Sequence, residues 1–345
     1  VSSTAAEYAR PVSARDHVNA AQTGLKPHGA SPVPLASRAS AGLYRQLGET
    51  DLRVYPLALG ASVFGWTADH HASRGILDRY FECGGNFIDT ADSYAGGRSE
   101  VIIGSWLKDR ANRDDLVLAT KIGRHPDNPG LTPGNIIRAV EDSLTRLRTD
   151  HIDVLFFHED DQSSPLEDSL AAADTLVESG KVRYLAASNY TVDRLIQARI
   201  LSAYGLSKFA AVQTEYSLVQ REFEGEMAVI ADGQRLAIVP YFALAHGFLS
   251  GKYLSRHQKP ATERQSRAVK HVTRKGLRIL AVLNQVAGEL EVSAATAALA
   301  WLLAKPNITA PVTSASRPDQ IDDLMAAATV QLTRGQVREL DRVSG

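Results

Sequence analysis

The sequence predicts a (β/α)8 barrel of the TIM type, preceded by a flexible arm. From residue 54 onward, eight short strand patterns alternate with mostly helical segments. Asp89, Lys121 and His158 end three successive strand candidates, and Tyr94 follows the first of them by five residues. A doubly wound sheet shares the rhythm, but only a barrel gathers successive strand ends around one centre, at its C-terminal face. The chain also lacks a G-x-G-x-x-G or Walker-type loop, which leaves the classical dinucleotide and P-loop folds without support.

Taken in order, residues 1–43 are rich in Ala, Ser, Pro and Arg and show no sustained periodicity. They read as an extended or partly disordered arm, the alternative being an arm that docks on a neighbouring subunit. Strands are expected at residues 57–61, 86–89, 116–121, 152–158, 182–188, 211–214, 237–242 and 308–312. In the second, apolar Phe87 and Ile88 follow Gly84-Gly85 and run into an acid, the pattern of a short buried strand. Thr132-Pro133 supplies an N-cap and a first helical residue, with an apolar stripe at Ile136, Val140, Leu144 and Leu147. Ser164-Pro-Leu-Glu167 reads as a capping box for a helix that stops at Gly180. Thr191 opens a helix that ends before Gly205, and Ser293 opens one that stops near Pro306. No internal repeat is visible.

The bulk properties narrow the function. In 345 residues, 44% hydrophobic and 22% charged content is that of a globular chain. A net charge of −1 gives no basic field for nucleic acid or anionic membrane. The single cysteine, Cys83, cannot form an internal disulfide and reads as core packing. No apolar run nears the ~20 residues of a membrane span, and residues 1–43 lack a signal-peptide core. The expected location is cytoplasmic. No metal is expected: His70-His71 are adjacent and cannot share a helix face, His125 and His246 are isolated, and Asp160-Asp161 read as loop or capping acids.

The strand ends suit one reaction. Hydride arriving at a carbonyl carbon leaves charge on oxygen, so a proton donor must stand there. Tyr94 is a donor whose ordinary pKa of about 10 is too high near neutrality. Lys121 is expected to lower it, and Asp89 to hold the lysine charged and in place. His158 then orients and polarises the carbonyl.

In order and setting, Asp89, Tyr94, Lys121 and His158 resemble the catalytic tetrad of the aldo-keto reductases, with the closest likeness to the bacterial branch that has a short loop after the tyrosine. The resemblance runs from about Tyr44 to the C-terminus. It includes an opening like the family's N-terminal β-hairpin, at residues 44–52, and the run Phe87-Ile-Asp-Thr-Ala-Asp-Ser-Tyr94. Ala187-Ser-Asn-Tyr190, Val212-Gln-Thr-Glu-Tyr-Ser217 and Gly247-Phe-Leu-Ser-Gly-Lys-Tyr253 also match.

The resemblance implies a barrel over residues 44–345 and NADPH-dependent reduction of an aldehyde or ketone. It implies that Ser188, Asn189 and Gln213 bind the nicotinamide carboxamide and that Tyr241 stacks on the ring. Leu244 through Lys252, with Gly247, Leu249 and Gly251, would approach the pyrophosphate, backbone N–H groups and Lys252 meeting its charge. Ser314 and Arg317 would meet a 2′-phosphate and Gln320 the adenine, which favours NADP(H) over NAD(H). Leu324 departs from the asparagine common at its position, and Asp322-Asp323 adds negative charge. Read without the resemblance, these residues would be turns, a core aromatic and solvated charges.

Phe64, Trp66, Tyr190 and Phe242, with Tyr216 as a further candidate, are expected to wall the substrate pocket. Residues 254–275 read as a flap over the cofactor or as a solvated loop. The expected partner is a small carbonyl or alcohol substrate, and a homo-oligomer stays open. Two rival readings remain: oxidation of an alcohol or sugar with NAD(P)⁺, and an NADPH-binding regulatory subunit like the potassium-channel β-subunits.

Overall fold

The computed structural model describes residues 42–252 and 263–345. The expected N-terminal arm lies outside them, apart from Gly42 and Leu43. β1 (Arg45–Gln46) and β2 (Arg53–Val54) pair antiparallel and form the expected hairpin. The strands that follow are β3 (Ala58–Gly60), β4 (Phe87–Asp89), β5 (Val117–Ile122), β6 (Ile152–Phe157), β7 (Val182–Ser188), β8 (Phe209–Gln213), β9 (Ala237–Ile238) and β10 (Val312–Thr313). All eight pair in parallel, in the order β10-β3-β4-β5-β6-β7-β8-β9. The ring closes where Ile308 bridges Ile238 and the Val312 N–H donates to the Pro240 carbonyl at 2.7 Å. This is the (β/α)8 barrel.

The helices between strands are α1 (His70–Glu82), α2 (Arg98–Arg110), α3 (Pro133–Leu147), α4 (Leu166–Glu178), α5 (Val192–Ser202) and α6 (Glu226–Gly233). After β9 come α7 (Glu263–Val269), α8 (Arg274–Glu289) and α9 (Ala294–Leu303), and after β10 come α10 (Ile321–Ala326) and α11 (Arg334–Ser344). Among the described residues, no single helix is long and apolar enough to cross a membrane.

The period of two in a strand sorts side chains into two cores. On β6, Leu155 and Phe157 face the helices while Val154 and Phe156 fill the barrel. Phe87, Val117, Ala119, Ala186, Ala211 and Ala237 join them inside. Leu47, Leu52 and Val54 of the hairpin pack into this same cluster, closing one end of the barrel with apolar side chains.

Local signals fare unevenly. Thr132 holds the N-cap position of α3 without a side-chain hydrogen bond, Pro133 is first in the helix, and the whole predicted stripe is buried. Thr191 and Ser293 each accept a backbone N–H at a helix start. The capping box at Ser164 is corrected: α4 begins at Leu166 with Pro165 in the capping position, so Glu167 falls in the wrong register to answer Ser164. β9 stops at Ile238, well short of residue 242, because Pro240 has no N–H to extend the ladder. Cys83 is half-buried at the end of α1, and its Sγ lies 3.4 Å from Asp322. Burial and the Asp322 carboxylate push its thiol up to about 11, so it is not a poised thiolate.

Candidate active site

The inward side chains change character at one end of the strands. Below lie Phe87, Ala119, Phe156, Ala186 and Ala211; in the layer above lie Asp89, Lys121, His158, Ser188 and Gln213, two residues further along each chain. One alternation therefore produces both an apolar core and a polar floor. Tyr94 reaches this floor from the loop after β4.

Lys121 is fully buried. Its Nζ donates to Asp89 Oδ2 at 2.7 Å, to the Thr90 carbonyl at 2.9 Å and to Tyr94 Oη at 3.3 Å. Three acceptors use the ammonium's three protons. Burial works against its charge, but Asp89 and Tyr94 outweigh burial and hold its pKa above the ordinary lysine value. Asp89 Oδ1 accepts from Gln213 Nε2 at 2.8 Å, so both carboxylate oxygens are occupied.

The Tyr94 expectation needs correction. Burial raises its pKa above 10, Asp89 adds to the rise, and Lys121 offsets only part of it. A tyrosinate here would lose its hydration beside an aspartate, so the phenol is held in its protonated form. His158 is pulled down to about 2 by burial and by the charges of Lys121 and Arg124. Its ring is therefore neutral, and it meets the Tyr94 ring edge-on at 6.0 Å between centroids. Its Nδ1 is buried without a partner, so the ring presents Nε2 to the open side.

Above this floor opens a cavity of about 660 Å³, within the usual range for small-molecule sites. Asp89, Tyr94, His158, Ser188, Asn189, Gln213, Tyr241, Leu244, Gly247 and Ser314 line it, as do Trp66 and Phe242 of the expected substrate wall. Asn189 is held at φ 57°, donating to the His158 carbonyl at 2.8 Å and accepting from Tyr241 Oη at 2.7 Å. Phe242, Ala245 and His246 also adopt positive φ, next to Gly247 at 97°. So many non-glycine residues in the left-handed region mark this rim as strained, as functional rims often are.

Other expectations fall outside the cavity. Phe64 is fully buried and Tyr190 nearly so, its ring 5.5 Å from that of Phe209. Tyr216 packs between Phe223 and Trp301. These three are core residues, because the loops that carry them fold inward onto the helical layer. Leu249 is also buried, which leaves only its backbone for a ligand. Gly251 turns the chain at φ 78° and Lys252 is exposed. Arg317 is exposed and clasped by Asp319 at 3.0 Å, a surface pair that exchanges easily. Gln320 Oε1 is taken up by the Ser316 and Arg317 N–H groups. Of the expected flap at 254–275, residues 254–262 lie outside the described residues, while α7 packs against residues 245–250.

Sequence reasoning missed Arg124, Ser62, Ser93 and Arg267 in the lining. It also missed Asp92, fully buried with no hydrogen bond of good geometry on either carboxylate oxygen. Arg124 carried a readable signal, a cation just past the end of the Lys121 strand. Asp160 and Asp161 proved to be loop acids: Asp160 pairs with Arg194 at 2.7 Å, and Asp161 accepts from the Leu131 N–H at 2.7 Å.

A family model described as the Aldo/keto reductase family matches residues 56–344. The chain belongs to the aldo/keto reductase family. As a member it is an NAD(P)H-dependent oxidoreductase. An uncharacterised oxidoreductase of Bacillus subtilis (strain 168) is 34% identical over 87% of this chain and 95% of its own length. A norsolorinic acid reductase of Emericella nidulans is 32% identical over 84% of this chain and 78% of its own. A probable voltage-gated potassium channel subunit beta of Oryza sativa subsp. japonica is 31% identical, over 83% and 91% respectively.

Proposed function

We propose that this aldo/keto reductase reduces an aldehyde or ketone to the alcohol, with Tyr94 as general acid. The observation that carries the reading is the Lys121 ammonium lying 2.7 Å from Asp89 and 3.3 Å from Tyr94 at the floor of the cavity. Bound nicotinamide supplies the hydride. Ser188, Asn189 and Gln213 suit its carboxamide: Gln213 gives its N–H to Asp89 and keeps its carbonyl oxygen for a ligand. Tyr241 stands beside them on the cavity wall. Ser314 and Arg317 favour NADP(H), since a phosphate competes well for a guanidinium paired, among the described residues, with exposed Asp319.

The chain's own residues handle the proton. Neutral His158 donates through Nε2 to the carbonyl oxygen and fixes its direction. Tyr94, kept protonated by burial, passes its proton to that oxygen as charge develops there. Lys121, neutralised by Asp89 in the resting state, then stabilises the tyrosinate left behind. Oxidation runs through the same groups in reverse.

The experiment is NADPH consumption, and separately NADH consumption, against aromatic aldehydes, ketosugars, dicarbonyls and cyclic ketones, with Tyr94→Phe alongside. Turnover by the parent should fall roughly 10²–10⁴-fold in the variant, the usual contribution of a positioned acid. Equal rates in both proteins would remove Tyr94 from the chemistry. The similarity to a channel β-subunit favours a second reading, a cofactor-sensing subunit. Tight NADPH retention with slow turnover of every carbonyl would select it.

A further inference from the structure

Arg124 takes no part in the chemistry proposed above, yet it lines the cavity with Tyr94 and His158. β5 ends at Ile122, and Gly123 turns the chain at φ 104°, where an L side chain would be strained. The Gly123 carbonyl accepts from the Gly130 N–H at 2.8 Å, which fixes the turn. The guanidinium donates through Nη2 to Glu159 at 2.5 Å. Its Nε and Nη1 have no acceptor among the described residues. Glu159 is about half exposed, so this pair yields readily to a better acceptor.

The charge of the cavity points the same way. Its charged lining residues are Asp89, Arg124 and Arg267, and Asp89 is already neutralised by Lys121. That leaves no uncompensated anion among the described lining residues. The two arginines sit on different sides. Arg267 is on α7, against residues 245–250, on the side read above as holding the cofactor phosphates. Arg124 follows β5, and residues 244–252 follow β9, four steps away in a closed ring of eight strands. Arg124 is thus half a turn of the barrel from that segment, on the side left for the substrate.

Resting on the carbonyl-reductase reading, we infer that Arg124 receives an oxyanion of the substrate, so that the compound reduced here carries a carboxylate or phosphate as well as its carbonyl. A planar guanidinium meets either group with two parallel charge-assisted bonds. Held there, the substrate is oriented with its carbonyl toward Tyr94 and His158 before reaction.

Matched substrate pairs test this with NADPH. They are 4-carboxybenzaldehyde against 4-methylbenzaldehyde for carboxylate, and glyceraldehyde 3-phosphate against glyceraldehyde for phosphate. The readout is the ratio of kcat/KM within each pair, for the parent, Arg124→Gln and Arg124→Lys, so that any general effect on Tyr94 cancels. The parent should favour the anionic member of one pair by roughly tenfold to a hundredfold, the weight of a charged hydrogen-bonded contact. Arg124→Gln should bring that ratio near one, Arg124→Lys should restore part of it, and added salt should narrow it. A parent ratio near one in both pairs, or a ratio untouched in Arg124→Gln, overturns the inference. A second arm needs no turnover: benzoate and benzamide binding to NADPH-loaded protein, followed by cofactor fluorescence. Benzoate bound more tightly than benzamide, with the difference lost in Arg124→Gln, upholds the anion site even if no carbonyl is reduced, in which case the reductase reading fails alone. Equal binding of the two counts against the anion site.

Discussion

Asp92 lies two residues before Tyr94 and is sealed from solvent, with no hydrogen bond of good geometry on either carboxylate oxygen. Beside it stand one acid and one base, and they are engaged with each other: Glu100 accepts from Thr120 at 2.6 Å and from Arg146 Nε at 2.7 Å. Burial and then Glu100 raise Asp92 to about 7; the Ser93 and Gly123 backbone and Arg146 pull the other way and lose. A folded-state pKa above the ordinary 3.8 means that the folded protein holds this proton more tightly than the unfolded chain does. The resulting stability is complete below pH ~4, fades as pH rises toward 7 and is gone above it, on the order of 4 kcal/mol in all. Asp92→Asn, neutral throughout, should lose this dependence and gain on the parent as pH rises. Urea midpoints at pH 5, 6, 7 and 8 would show it, and parallel curves for the two proteins would defeat it. Why the sequence revealed some residues and hid others follows from the same geometry. Asp89, Lys121 and His158 were legible because a strand end fixes where a side chain points. Phe64, Tyr190 and Asp92 sit in loops, where inward and outward carry no period to read.

Helix and strand limits depended on which local rule had a competitor. Thr191 and Ser293 cap their helices as read, with nothing nearby to contest the position. Ser164 lost its place to the proline after it, and β9 was cut by Pro240; both prolines were visible, but which residue would yield was not. Gly104, in the middle of α2, looks unfavourable for a helix by propensity alone. Its reason is tertiary: a Cβ there would stand 2.3 Å from the Arg146 carbonyl oxygen and 2.6 Å from the Leu147 carbonyl carbon, at the end of α3. Backbone cannot step aside as a side chain can. Gly104→Ala should therefore cost about 1–3 kcal/mol despite the better helix former, as overpacking does. Thermal unfolding that shows this variant to be as stable as the parent would mean that α2 and α3 separate freely.

Across the whole molecule, the β-then-α rhythm and the convergence of strand ends were enough to distinguish a barrel from an open sheet. The hairpin's role was not written in any pattern of its own: its Leu47, Leu52 and Val54 are apolar residues in a turn-rich stretch until the barrel interior they plug is in view. Leu47 is fully buried there, at the opposite end from the cavity. Leu47→Ala should lower stability by about 2–5 kcal/mol through the space it leaves, while kcat/KM for any accepted substrate stays as it was. Denaturant unfolding and steady-state kinetics on one preparation measure both, and a parallel loss of activity would tie the plug to the mouth. The alternation that sets Lys121 above Ala119 and Val117 has a genetic corollary. Removing a single codon within β5 would turn the ammonium outward among the helices and bring a neighbour to the floor in its place. Length changes in this lineage should therefore accumulate between the strands and be purged within them, since inside a strand one lost residue discards core and chemistry together.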